Sequence, residues 1–228
     1  MAAAVASLFS GGESRRRPRP ATITMAACSR ITGGSAHAEI AAHALEGGCS
    51  PTERAALLEL ARAAIRAVVA GDPPPPLPEV PPRLSVAAGV FVSLHDAGGE
   101  LRGCVGSVLP SAPIAELVGR MAVASATRDP RFPPLVPAEL AGLRIEISVL
   151  APLRAIDPTD IDPPRHGLCL RLGQRGAVLL PQVAARHGWD RHTLLRQLCD
   201  KAGLPLDAWS DERVTLQAFT VEMVEDDL

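Results

Sequence analysis

Residues 86–109 constrain the fold of this chain more than any other stretch. Two runs of alternating polarity flank Gly98-Gly99. Val90, Val92 and Leu94 alternate with Phe91, Ser93 and His95; Leu101, Val105 and Leu109 fall on one parity, Arg102 and Cys104 on the other. Period-two alternation across a Gly-Gly pair predicts a β-hairpin closed by a tight primed turn. With Gly98 and Gly99 as the turn, Ala97 faces Glu100, His95 faces Arg102 and Ser93 faces Cys104, all on one side of the sheet. A slip of one residue would scatter that set.

The second strand reads Leu101-Arg102-Gly103-Cys104-Val105-Gly106-Ser107. Glycine inside a strand loses packing and adds chain entropy to be lost on folding, so Gly103 and Gly106 need a reason. Either the strand bulges, or another group comes close to its backbone. Two readings of Cys104 stand. In one it is a reactive or ligand-binding thiol, its thiolate favoured by a guanidinium on the same face. In the other it is a small buried side chain beside a structural bulge.

The chain has 228 residues, which suits one large domain or two small lobes, and 47% hydrophobic content supplies a core. A net charge of −2 creates no general attraction for nucleic acid, and 3% aromatics with no Tyr argues against base-stacking platforms. The five cysteines form no C-x-x-C pair. They resemble neither a disulfide framework nor a zinc site, and fit a reducing compartment, the cytoplasm. No apolar run is long enough to span a bilayer. No metal-ligand constellation and no G-x-x-x-x-G-K phosphate loop stands out, so no cofactor is assigned.

Residues 1–48, rich in Ala, Gly, Ser and Arg, read as a disordered arm or a mispredicted start with Met25 as the alternative, and residues 50–226 as the domain. Ser50-Pro51-Thr52-Glu53 opens a helix with a capping box, and Gly71 ends it. Residues 72–82 form a proline-rich spacer. A second helix starts at Pro113 and ends near Arg128-Asp129-Pro130-Arg131-Phe132, a charged corner that is either a structural ion-pair turn or an anion-binding rim. Asp129 is also a candidate to orient Arg102. Residues 143–150 alternate as a strand, placing Glu146 as a proton acceptor or a partner for Arg102. A Pro- and Asp-rich loop over 151–164 delivers His166-Gly167 to a cleft or to solvent. Strands follow over 168–172 and 177–180, then a short helix from Pro181, a helix capped by Asp190, and a final strand over 213–224.

Leu101 to Gly106 resembles the Leu-Arg-Gly-Cys-Ile-Gly signature of the AMMECR domain family, the domain of the protein linked to the AMME chromosomal-region syndrome. Its bacterial members are called AmmeMemoRadiSam system protein A. Further likenesses follow in order: Gly89-Val90-Phe91-Val92-Ser93-Leu94, Asp129-Pro130-Arg131-Phe132, Glu139-Leu140, Glu146 to Leu150, His166-Gly167, Leu180 to Ala184, Gly188-Trp189 and Lys201-Ala202-Gly203. Val105 stands where the family has Ile. The resemblance implies an α+β fold with an antiparallel sheet flanked by helices and two unequal lobes. It implies a setting beside a Memo-like protein and a radical SAM enzyme. It also implies a functional cleft formed by Arg102, Gly103, Cys104 and Gly106, with His166. Cys104, Arg102 and His166 are thus the candidate catalytic residues. Ser93, His95, Gly103, Gly106, Asp129, Arg131 and Glu146 are the candidate binding residues. A non-enzymatic scaffold with an architectural signature is the alternative, and whether the chain is an enzyme stays open.

Overall fold

The computed structural model describes residues 47–226. The arm read over residues 1–48 lies outside these but for its last two residues. Helix α1 spans Pro51–Ala70. The Ser50 hydroxyl accepts the Glu53 N–H at 3.3 Å while the Glu53 carboxylate accepts the Ser50 N–H at 2.8 Å. This reciprocal cap satisfies two donors that a helix start otherwise leaves open. Leu57, Ala61, Ala64 and Ile65 form its buried stripe. Helix α2, Ile114–Thr127, buries Leu117, Val118 and Ala122 beside it.

Both helices cover one face of a sheet built from β1 (Gly89–His95), β2 (Leu101–Ser107), β3 (Arg144–Leu150) and β8 (Val221–Glu225), in the order β2-β1-β3-β8. Val90, Val92 and Leu94 of β1 and Ile145, Ile147 and Val149 of β3 meet the helices in one core. These are the alternate residues that a half-buried strand turns inward. The opposite face bears Phe91, Ser93, Glu146 and Ser148, which the register places side by side with Cys104.

A smaller lobe is inserted between β3 and β8. Strands β4 (Arg154–Ala155), β5 (Gly167–Leu172), β6 (Arg175–Leu179) and β7 (Thr215–Phe219) form its sheet, in the order β4-β7-β5-β6. Helices α3 (Pro181–His187) and α4 (Arg191–Lys201) accompany it, and Leu194, Leu195 and Leu198 pack on Leu168 and Leu170. All strand pairs of both sheets are antiparallel. A third apolar cluster joins the lobes, with Phe91, Cys104, Val108 and Leu150 from one and Cys169, Val178 and Phe219 from the other.

Three details differ from the sequence reading. The hairpin loop is longer than two residues: the Asp96 N–H bonds the Glu100 carbonyl at 2.9 Å, and the Asp96 carboxylate accepts the Gly98 and Glu100 N–H groups. The strand read over 213–224 is two strands in different sheets, because the chain crosses from the small lobe to the large one at Thr220. The loop over 151–164 contains β4, an edge strand too short to show a period.

Candidate functional site

Leu94 pairs with Gly103 but His95 pairs with Leu101, so Arg102 is the extra residue of a β-bulge. The expected facing of Ser93 and Cys104 holds; that of His95 and Arg102 does not. The bulge sends the guanidinium away from the thiol. Arg102 Nε donates to Glu139 Oε1 at 2.6 Å and Nη2 to Oε2 at 3.1 Å. Its remaining donors reach the Pro133 carbonyl at 2.8 Å and the Pro134 carbonyl at 3.3 Å. Arg102 therefore clamps the 133–139 segment onto the hairpin, and it holds the Glu139 carboxyl below the usual range. Neither Asp129 nor Glu146 is its partner.

The glycines have steric causes. A Cβ on Gly103 would overlap the Ser125 carbonyl oxygen of α2. A Cβ on Gly106 would overlap the Phe91 ring, its cross-strand neighbour, and would lie 2.6 Å from the Val90 carbonyl oxygen. The small lobe repeats this device: the Phe219 ring covers Gly167, its own pairing partner. An aromatic ring laid over a cross-strand glycine fills the space left by the missing side chain. Both rings belong to the cluster between the lobes.

Strand β2 lies at the sheet edge, where unpaired backbone groups need cover. The charged corner supplies it at Cys104. Asp129 Oδ2 accepts the Cys104 N–H at 2.8 Å, and Arg131 Nη2 donates to the Cys104 carbonyl at 3.3 Å. Arg131 also grips Asp129 through Nε at 2.9 Å and Nη2 at 2.6 Å. Burial opposes a charge on Asp129, but the bonds from Arg131 and the Cys104 N–H hold the carboxyl below its ordinary value. The corner is thus an internally paired turn, with Asp129 and Arg131 bonded to each other and to the Cys104 backbone. Ser125 Oγ adds a further stitch, accepting the Val105 N–H at 2.9 Å and donating to the Val92 carbonyl at 2.7 Å.

The Cys104 residue is 7% exposed. Ser93 Oγ donates to its sulfur at 3.3 Å. Burial pushes the thiol pKa up; the Ser93 bond and the charge of Arg131 oppose this without reversing it. Lys201, at the end of α4, donates to the Val178 carbonyl at 2.9 Å within the same cluster. Burial brings its pKa down to about 8, while the fields of Cys104 and Arg131 act on it in opposite directions. Further out, His95 Nε2 lies 3.8 Å from Glu146 Oε2, and Gln182 donates to Ser148 at 2.9 Å across the lobes. Lys201 and Gln182 had no signal in the sequence beyond a family-like tripeptide and a helix start. Ser125, a polar residue in an apolar helix, was not singled out in the sequence. His166 is placed elsewhere. It lines a separate cavity with Arg154 and Arg165, which shares no polar residue with the Cys104 group. Among the described residues, no three His, Cys, Asp or Glu side chains converge as a metal site requires. No helix among them is long and apolar enough to cross a membrane.

Comparison with known proteins adds a consistent frame. The AMMECR1 family model matches residues 58–224. A protein of Thermococcus gammatolerans is 40% identical over 182 residues, covering 75% of this chain and 89% of the relative. A protein of Thermococcus onnurineus is 41% identical with the same coverage. The crystal structure of uncharacterised protein PH0010 from Pyrococcus horikoshii superposes with a TM-score of 0.71 at 38% identity, covering 75% of this chain and 90% of that one.

Proposed function

This chain belongs to the AMMECR1 family, and on that premise we propose that it is a non-enzymatic binding component of a modification system, working in the cytoplasm beside a Memo-like protein and a radical SAM enzyme. One observation carries the reading: each signature residue from Arg102 to Gly106 has an architectural task. Arg102 clamps a loop, Gly103 and Gly106 admit neighbouring groups, Val105 bonds Ser125, and Cys104 is held by the Asp129–Arg131 corner. A thiol whose pKa is raised by burial is protonated at neutral pH and is a poor nucleophile. The test is co-expression with the Memo-like and radical SAM partners, followed by co-purification. Wild type and Cys104→Ser should recover the same complex in the same yield. Absence of any complex with the wild type would remove the partnership.

A second reading keeps Cys104 as a working thiol, with Arg131 in the place expected of Arg102. The proximity of Arg131 to the sulfur supports it, since a neighbouring cation favours thiolate. This reading requires Cys104→Ser to abolish the system's product while leaving both the complex and the melting temperature unchanged.

A further inference from the structure

A second concave site lies where the chain passes between the lobes. Residues 151–153 leave the large sheet for β4, and Thr220 returns the chain from β7 to β8; the Ala151 N–H bonds the Thr220 carbonyl at 3.0 Å. Beside these crossovers is a cavity of about 510 Å³. That volume is in the range of small-molecule sites. Its polar rim holds Arg154, Arg165 and His166, and its lining includes no carboxylate residue. Among the described residues, neither arginine is hydrogen-bonded or ion-paired to an acid. Pro152 and Ile156 add apolar surface.

The histidine is held in one tautomer. The Asp162 N–H donates to His166 Nδ1 at 3.1 Å, and the Asp162 carbonyl accepts the His166 N–H at 2.8 Å and the Arg165 N–H at 3.1 Å. These bonds close the 162–166 turn and set Arg165 and His166 side by side. With Nδ1 as acceptor, the neutral ring carries its proton on Nε2 and donates from there. The rim thus offers two guanidinium charges and, from His166, a ring N–H donor at Nε2.

We propose that Arg154, Arg165 and His166 form a binding site for a phosphate monoester whose organic part is small and apolar. A phosphate monoester carries close to two negative charges above its second pKa near 6, matching the two arginines. A monocarboxylate leaves one of them uncompensated. Planar guanidinium forks bind phosphate oxygens in pairs, and the apolar surface at Pro152 and Ile156 receives the organic group. This site is independent of Cys104 and of the reading given above for the signature.

The test is calorimetric titration of the full chain with phenyl phosphate at pH 7.5. Saturable one-site binding is expected, with a Kd below about 1 mM. Arg154→Ala and Arg165→Ala should each weaken it about tenfold. Both side chains belong to exposed residues, so the melting temperature should stay unchanged. Arg120→Ala, on exposed α2 surface, should bind like the wild type. Benzoate and inorganic phosphate should both bind about tenfold more weakly. Absence of saturation would overturn the site, as would equal weakening by Arg120→Ala. Benzoate matching phenyl phosphate would overturn the choice of a dianion, and inorganic phosphate matching it would overturn the apolar pocket.

Discussion

Gly103 and Gly106 are held by the neighbours that crowd them. At Gly103 the obstacle is backbone, the carbonyl of Ser125, which cannot rotate aside. Gly103→Ala should cost about 3 kcal/mol or more in chemical denaturation, as overpacking against a fixed element does. Gly106→Ala should be similarly costly, and removing the Phe91 ring as well should not restore stability, because the Val90 carbonyl remains. Lys201 gives a prediction with a sign in pH. Its folded pKa of about 8 lies below the ordinary 10.5. Below pH 8 the amine is charged in both states, and its burial opposes folding in full. From pH 8 to 10.5 the unfolded chain holds a proton that the folded chain has lost, so this contribution to stability rises with pH. Lys201→Met should therefore stabilise at pH 7, by on the order of 3 kcal/mol, and the gain should shrink towards pH 10.5. A gain independent of pH in parallel denaturation curves would contradict this. The alternation of β1 and β2 made the Ser93–Cys104 pair readable from sequence. A bulge in β2 was one of two readings of its glycines; that it falls at Arg102 and turns the guanidinium to Glu139, 37 residues further on, was not readable.

Among the elements, the hairpin, the end of α2 and the 133–139 segment act as one unit. Arg102 ties the first to the last, and Ser125 with Asp129 ties α2 and its exit to β2. Arg102→Lys keeps the charge but loses the paired fork to Glu139. It should cost about 1–2 kcal/mol, and a double-mutant cycle with Glu139→Gln should return a coupling energy of about 1 kcal/mol or more. A coupling near zero would mean that the clamp does not contribute to stability. Capping signals at Ser50, Pro181 and Asp190 placed these helices correctly, because a cap is local chemistry. The break at Thr220 escaped notice because residues on both sides favour a strand, and only the two sheets decide where each half pairs.

At the scale of the whole molecule, the two lobes share one buried seam, and the signature cysteine is part of it. Phe91 over Gly106 and Phe219 over Gly167 approach that seam from opposite sheets. Cys104, Cys169 and Val178 lie together in that seam, and the Asp129–Arg131 corner covers the Cys104 backbone from the edge of β2. The family-like stretches pointed to this neighbourhood, but they did not show which guanidinium belongs to it. Alternation in β2 put Arg102 on the thiol's face, but the bulge turns Arg102 to Glu139, and the edge of β2 takes up Arg131 instead. The most direct measurement is the rate of iodoacetamide alkylation at Cys104, read by peptide mass spectrometry alongside global unfolding over a denaturant series. A buried, protonated Cys104 thiol predicts that alkylation at pH 7.5 follows the unfolded fraction and is negligible in the native protein. Rapid modification of native Cys104 at that pH, slowed by Arg131→Gln in protein that remains folded, would contradict it.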